Sequence, residues 1–424
     1  MFRLFKRPKK KKQFSKNDSM PSIYKLPPEL ISFICSFLDN RDFKNNRLSC
    51  RLFAASTRLD IKHRIKLDAK IKSITDANGG KIFLMMSGQV YVFGYNGYGQ
   101  LGLNNLATQI KPVKLNFNNK IVDIDASSHT LFLDETTSVW ACGYNEYGQL
   151  GLGDNTDRLM PVRIPSLKSV RKVISNGHDS FFLKDDGIVL ACGENSYGAL
   201  GLGARRNITI PTQIPELSHI CQIAKGYSHV LFLRDDGKVL SCGLNESGEL
   251  GHGDTINRNK PRVIAGIADV CQVAAGNLYS LFLKKDGTVW GCGNNGDGSL
   301  GLGEDINESV DIVKIPGLSE IIDIKADNSP LFLKKDGTVW ACGYNYDNHF
   351  GIEDAIDFIF TPREITHSKD VKIIFDNDYY IKNDVTCSIL SVIPGDIILK
   401  LVNEFKTLDY FEKEANARIA RSGL

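Results

Sequence analysis

One twelve-residue pattern governs the chain. Cys142 to Gly153 reads CGYNEYGQLGLG, and the frame returns as FGYNGYGQLGL from Phe93, CGENSYGALGLG from Cys192, CGLNESGELGHG from Cys242, CGNNGDGSLGLG from Cys292 and CGYNYDNHFGI from Cys342. The lead glycines are Gly94, Gly143, Gly193, Gly243, Gly293 and Gly343, so the step is 49 residues once and 50 four times. A period that constant marks an array of one supersecondary unit, each copy burying its apolar face against the next.

Each unit carries a short apolar run such as Leu231-Phe232-Leu233 or Leu281-Phe282-Leu283. An Asp-Gly pair follows (Asp186-Gly187, Asp236-Gly237, Asp286-Gly287, Asp336-Gly337), then a second run such as Thr288-Val289-Trp290. Asp-Gly between apolar runs is a hairpin signal that asks both turn residues to tolerate positive φ. Gly148 and Gly151, with Gly298 and Gly301, suggest further positive φ or close backbone approach. With Pro161–Pro165 and runs such as Val270–Ala274, the unit holds four short strands. Four-stranded sheets repeated with glycine turns close naturally into an all-β propeller.

The cysteine-glycine frame with its leucine-glycine end resembles the repeats of the regulator of chromosome condensation family. That resemblance spans about residues 71–390 and implies a seven-bladed propeller. Kelch repeats usually carry a paired-glycine signature that is absent here, and WD repeats are shorter. Six repeats are clear. The seventh, residues 370–392, keeps strand material (Val371–Ile374, Tyr379–Lys382, Val385–Leu390) without the glycine frame. An incomplete last blade is expected to borrow a strand from the start of the array, and Ile65, Leu67, Ala69 and Ile71 alternate as such a strand would.

The resulting partition is a basic tail (1–20), a helical module (21–62), the propeller (63–392) and C-terminal helices (393–424). The cysteines Cys142, Cys192, Cys242, Cys292 and Cys342 hold one position in successive blades, which points to small buried thiols and not to disulfides or a metal site. Neither a secretory signal nor a span of about 20 apolar residues stands out, so an intracellular protein, cytoplasmic or nuclear, is expected. Residues 1–16 carry Arg3, Lys6, Arg7, Lys9, Lys10, Lys11, Lys12 and Lys16 without an acid, a charge of +8 that leaves −5 for the rest of a chain whose net charge is +3. Such a block, with Lys6, Arg7 and Lys9–Lys12 at its centre, reads as an import signal for a nuclear receptor or a nucleic-acid contact. Phe2, Leu4 and Phe5 allow a grip on an anionic membrane, and a solvated tail without a partner is the plain alternative.

Between Tyr24 and Arg58 the apolar period becomes helical. Leu30, Phe33, Ile34, Phe37 and Leu38 share one helix face, with Pro27 and Pro28 at its entry. The stretch resembles an F-box, the three-helix module that docks on the Skp adaptor of cullin-RING ubiquitin ligases. Leu26, Pro27, Glu29, Leu30, Ile34, Phe37, Leu38, Phe43, Leu48, Cys50 and Phe53 carry the likeness. The resemblance implies that Leu26, Pro27, Leu30, Ile34 and Leu38 touch the adaptor. Phe53 stands where the family usually has tryptophan, and Asn45-Asn46-Arg47 is more polar than the family norm. A helical cap on the propeller is the alternative. The text from Ile393 to Ala420 echoes this module at a constant offset of 367 residues, as a second, degenerate F-box-like element or as an amphipathic helix against the last blade.

His129, His178 and His229 precede the apolar runs and are expected as surface or turn histidines. No phosphate loop, nucleophile triad or zinc spacing stands out, which implies a binding scaffold without catalysis or cofactor. The leading reading is a substrate receptor of a Skp-cullin-F-box ligase whose propeller face holds a target protein. Its recognition loops would be Ser127–Thr130, Asn176–Ser180, Lys225–Val230, Gly276–Ser280 and Ala326–Pro330. The resemblance also offers guanine-nucleotide exchange on a Ran-like GTPase or a chromatin scaffold. The founding family member exchanges nucleotide with a wedge hairpin inserted in one blade, for which the uniform steps of 50 leave no room.

Overall fold

Runs such as Leu131-Phe132-Leu133 are short, continuous and apolar because both of their faces are covered. Phe132 packs with Ile82, Val92 and Leu101 of the preceding sheet, whereas Leu131 and Leu133 pack with Phe182 and Cys192 of the following one. Phe232, Phe282 and Phe332 repeat the arrangement. The computed structural model describes residues 71–388 apart from 328, 346–349, 351, 353–356, 366–370, 377–378 and 383–384. All of them lie in one unit of the chain, Asn45–Ile393.

Six four-stranded antiparallel sheets follow in chain order: blade 1 (Ile71–Leu115), blade 2 (Ile121–Arg163), blade 3 (Val170–Gln213), blade 4 (Ile220–Val263), blade 5 (Val270–Lys314) and blade 6 (Ile321–Glu364). A three-stranded sheet, Val371–Ser388, comes seventh. Inner strands of successive blades pack on one another, and Val371–Asp376 packs on Ile71–Ala77, so the ring closes. Side chains on the inner strands tie neighbours together. Val173 N–H and Ser175 N–H donate to the carboxylates of Asp123 and Asp125 (3.1 and 2.9 Å). Val273 N–H and Ile324 N–H donate to the Gln222 and Gln272 amides (both 3.1 Å).

The expected borrowed strand needs correcting at one residue. Ile71 opens the inner strand of blade 1, opposite Met85, and residues 65–70 lie outside the described ones. The described residues contain no helix. The basic tail, the F-box-like module at 21–62 and the echo at 393–424 lie outside them.

The repeated cysteine, glycine and proline form a lock between blades. The Cys192 thiol donates to Gln149 O of the preceding blade (3.5 Å), and a Cβ added at Gly151 would stand 2.9 Å from Pro211 Cγ and 3.2 Å from Cys192 Sγ. The other four frame cysteines repeat the bond at 3.4–3.7 Å and are free, buried thiols. Burial pushes these thiols well above their ordinary pKa. The lead glycines take φ of 88–110°, and at Gly143 a Cβ would meet His129 Cα at 2.8 Å.

The Asp-Gly turns differ from expectation. Only the glycines take positive φ, 76–82°, because the loop is a tight turn closed by one left-handed residue. The preceding aspartate accepts from the N–H two residues on, as Asp186 does from Ile188 (3.0 Å). In blade 2 that left-handed place falls to Thr137, at φ 64°. A β-branched residue is strained there. Thr137→Gly should therefore raise stability by about 1 kcal/mol, less the bond that Thr137 Oγ1 accepts from Ser169 N–H at 3.3 Å. An unchanged or lower melting temperature would contradict this.

Candidate functional site

Antiparallel order places two sets of connections at the same end of the ring: those between inner and second strands, and the longer ones between third and outer strands. The long loops, residues 95–108, 144–157, 194–207, 244–257 and 295–307, are each organised by a buried asparagine. Asn145 Oδ1 accepts from Leu150 N–H (2.9 Å) while its amide donates to Asp154 O and Thr156 O (both 3.0 Å). Asn96, Asn195, Asn245 and Asn295 do the same work in their blades. Sequence reasoning missed these asparagines, although their fixed place two residues after each lead glycine was the signal for them.

The histidine expectation holds for His178, which is half-buried, and fails for the other two. His129 and His229 are strand residues with no exposure. Their Nε2 atoms meet the Ser180 and Ser280 hydroxyls of the next blade at 2.7 and 2.9 Å. Burial lowers both imidazoles to a pKa of about 3, so they stay neutral. They are parts of the blade interface.

Beside them lies a buried ion pair. Lys225, at the end of the inner strand of blade 4, meets Asp179 of blade 3 at 3.2 Å, with side chains 1% and 7% exposed. Lys225 also donates to Gly226 O (2.7 Å) and Tyr227 O (2.9 Å), fixing the loop that carries Tyr227, which is 66% exposed. Burial raises Asp179 to a pKa of about 6 against the pull of Lys225.

The expected recognition loops are therefore largely interior, since Thr130, Ser180, Val230 and Ser280 are fully buried. Only their tips, such as His178 and Tyr227, reach the surface. Across blades 1–3 an aromatic row crosses this end. Tyr95 and Tyr98 lie edge-on at 6.0 Å, Tyr98 meets Tyr144 at 5.3 Å, and Tyr144 meets Tyr147 at 6.1 Å. Tyr147 stacks on His178 at 4.7 Å. Carboxylates border the row: Tyr144 Oη donates to Glu146, and His178 Nδ1 lies 3.1 Å from Glu194. Between blades 5 and 6 the same end holds a cavity of about 420 Å³ whose lining includes Asn277, Asn294, Asp297 and Tyr344. Tyr279 also lines it, 2% exposed, and its hydroxyl has no hydrogen-bond partner among the described residues.

Among the described residues no group of histidine, cysteine and carboxylate side chains could hold a metal ion, and no helix is long and apolar enough to cross a membrane. The six lead glycines sit at equivalent positions on the third strands. Leu26, Pro27, Leu30, Ile34 and Leu38, and the basic residues from Lys6 to Lys12, fall outside the described part.

A ring of like blades, locked by cysteine, glycine and proline and presenting polar loops at one end, defines a repeat β-propeller. Residues 54–329 match the family model described as the RCC1-like domain, and the chain belongs to that family. No curated protein sequence matches it. Among solved structures it is similar to human WBSCR16 (TM-score 0.63, 23% identity, covering 71% of this chain and 83% of that one). It is also similar to Prp20p from Saccharomyces cerevisiae (TM-score 0.62, 22% identity, 71% and 78%), whose structure was described with its binding to Gsp1p and histones. The same yeast protein bound to Kap60 matches with a TM-score of 0.63 at 22% identity, over 72% and 77%. At these identities the likeness is one of fold.

Proposed function

We propose that the chain is a non-catalytic binding propeller of the RCC1-like kind that holds a basic, histone-like protein on the loop end of blades 1–3. The aromatic row bordered by Glu146 and Glu194 carries this reading. Tyrosine faces attract lysine and arginine side chains, and neighbouring carboxylates add charge complementarity. The binding of histones by Prp20p, a protein of the same fold, supports it. Gsp1p binding by that protein keeps GTPase regulation as a neighbouring reading. Against it, every described strand belongs to a regular sheet and none forms an inserted hairpin.

The test is affinity for core histones, by titration at near-physiological salt, for the wild type and a Tyr144→Ala, Tyr147→Ala variant. Aromatic anchors dominate interfaces, so the variant should bind at least about tenfold more weakly with its melting temperature little changed. Equal affinity would sink the assignment. Accelerated nucleotide release from a Ran-like GTPase would establish exchange instead.

A second reading, the ligase receptor, rests on the F-box-like residues alone. Leu30→Asp combined with Ile34→Asp should abolish co-purification of a Skp adaptor while the propeller stays folded. Adaptor retained by that double variant would remove the F-box assignment. On either reading, Lys6, Arg7 and Lys9–Lys12 are the residues to test for import.

A further inference from the structure

The cavity between blades 5 and 6 lies where two patterns of the ring break. In blades 2 and 4, His129 and His229 reach the Ser180 and Ser280 hydroxyls of the next blade at 2.7 and 2.9 Å. Tyr279 holds the equivalent position in blade 5, and Pro330 stands where its serine would be. Proline offers no polar side chain. The hydroxyl of Tyr279, a residue 2% exposed, therefore has no acceptor for its proton among the described residues. The end of its ring fits only beside glycine, since a Cβ added at Gly276 would stand 2.1 Å from Tyr279 Cε1 and 2.3 Å from Cζ.

The second break is at the mouth. Tyr144 and Tyr147 of blade 2 close the gap to blade 3 by packing on His178 at 5.4 and 4.7 Å. Asn294 and Asp297 stand in their places in blade 5. The opening left there is the cavity of about 420 Å³, with Tyr344 of blade 6 on its wall, a volume within the range of small-molecule sites.

The polar groups around the cavity select its guest. Asn294 Oδ1 already accepts from Gly296 N–H (3.1 Å), so its amide N–H groups, like the Tyr279 O–H, are donors without an acceptor among the described residues. Asp297, exposed at the mouth, only accepts. An apolar guest would leave the Tyr279 hydroxyl unpaired, which is costly in a buried group. An anion would meet Asp297 and no lysine or arginine among the described lining residues. A cation would suit Asp297 but bring donors to the donors within. Hydroxyl groups both accept and donate, and so match both sets.

We propose that this cavity binds a neutral, hydroxyl-rich ring of monosaccharide size, free or at the end of a glycan. Tyr279 O–H and the Asn294 amide donate to its inner hydroxyls, and Asp297 accepts from an outer one. The site is separate from the aromatic row and does not depend on the histone reading.

The test is saturation-transfer NMR on the full chain with glucose, galactose, mannose and N-acetylglucosamine, followed by titration of each sugar that binds. At least one should bind. Tyr279→Phe and Asp297→Ala should each weaken it about tenfold, the worth of one hydrogen bond to a buried or charged group. Asp297 is exposed, so its variant should melt as the wild type does. Tyr144→Ala combined with Tyr147→Ala should leave the affinity unchanged. The methyl glycoside of the bound sugar separates the two sources. Equal binding assigns the ring to a glycan and binding of the free sugar alone assigns it to a metabolite, and either result supports the site. No binding by any of these probes overturns the inference, as does binding that either single variant leaves intact. Arginine amide bound in place of the sugars would make the cavity a socket for a basic side chain and overturns it too.

Discussion

Gly151→Val should cost about 3 kcal/mol or more and lower the melting temperature by roughly 5–10 °C. Two terms combine. Gly151 sits at φ 67°, where a residue with a Cβ pays about 1–2 kcal/mol and a β-branched one more. The new Cβ would also stand 2.9 Å from Pro211 Cγ, 3.0 Å from Pro211 Cδ and 3.2 Å from Cys192 Sγ. Those atoms are held by the next blade, and overfilling a packed site costs about 1–3 kcal/mol. The predicted fall in temperature follows from the size of the domain, in which 1 kcal/mol moves the midpoint by about 2–4 °C. A paired comparison separates the terms: Gly177 has a similar φ of 57° with nothing within 4 Å of the added Cβ. Gly177→Ala should therefore show only the strain, and Gly151→Ala the strain and the clash. Equal midpoints for the two alanine variants would mean that the lock between blades has been misread.

What could be read in the sequence is what the array repeats. The glycines, the cysteines and the Leu-Phe-Leu runs each serve one interface, and the interface recurs at every step of the ring. Their identity is therefore constrained five or six times over. The asparagines Asn96 to Asn345 are equally repeated but are not legible as interior residues, because a polar residue in a loop suggests solvent until its partners are known. The candidate site behaves in the opposite way. Tyr144 is replaced by Glu194, Leu244 and Asn294 at equivalent places, and Tyr147 is kept as Tyr197 but replaced by Ser247 and Asp297. A row of rings exists only where blades 1 and 2 keep both tyrosines and blade 3 adds His178. The burial of His129 and His229 was hidden for another reason. Their partners Ser180 and Ser280 stand 51 residues away, on the next blade, so no local pattern announces them.

Lys225→Met should destabilise the protein by about 3–5 kcal/mol at pH 7.5, the usual cost of leaving one member of a buried pair uncompensated. Asp179 Oδ2 would lose its cation while Oδ1 already has no partner among the described residues, and Gly226 O and Tyr227 O would lose their donor. The effect carries a pH signature. Burial holds the folded-state pKa of Asp179 at about 6, above its ordinary carboxylate value of 3.8, and the attraction of Lys225 works against that rise. A carboxyl with a raised folded pKa takes up its proton in the native state first, so its penalty is full above the folded pKa and disappears as pH falls towards the unfolded value. Removing Lys225 raises the folded pKa further, so the relief on acidification begins at higher pH and is larger. The gap between variant and wild type should narrow by at least about 1 kcal/mol between pH 7.5 and pH 5, since each unit of pKa difference is worth about 1.4 kcal/mol. Asp179→Asn added to Lys225→Met should recover part of the loss, because a neutral amide needs no cation. A pH-independent gap without rescue would show that the cost comes from the loop carbonyls alone. A rescue that is only partial would separate two duties of Lys225. Neutralising Asp179 is a matter of the blade interface, whereas holding the loop of Tyr227 requires the ammonium group itself.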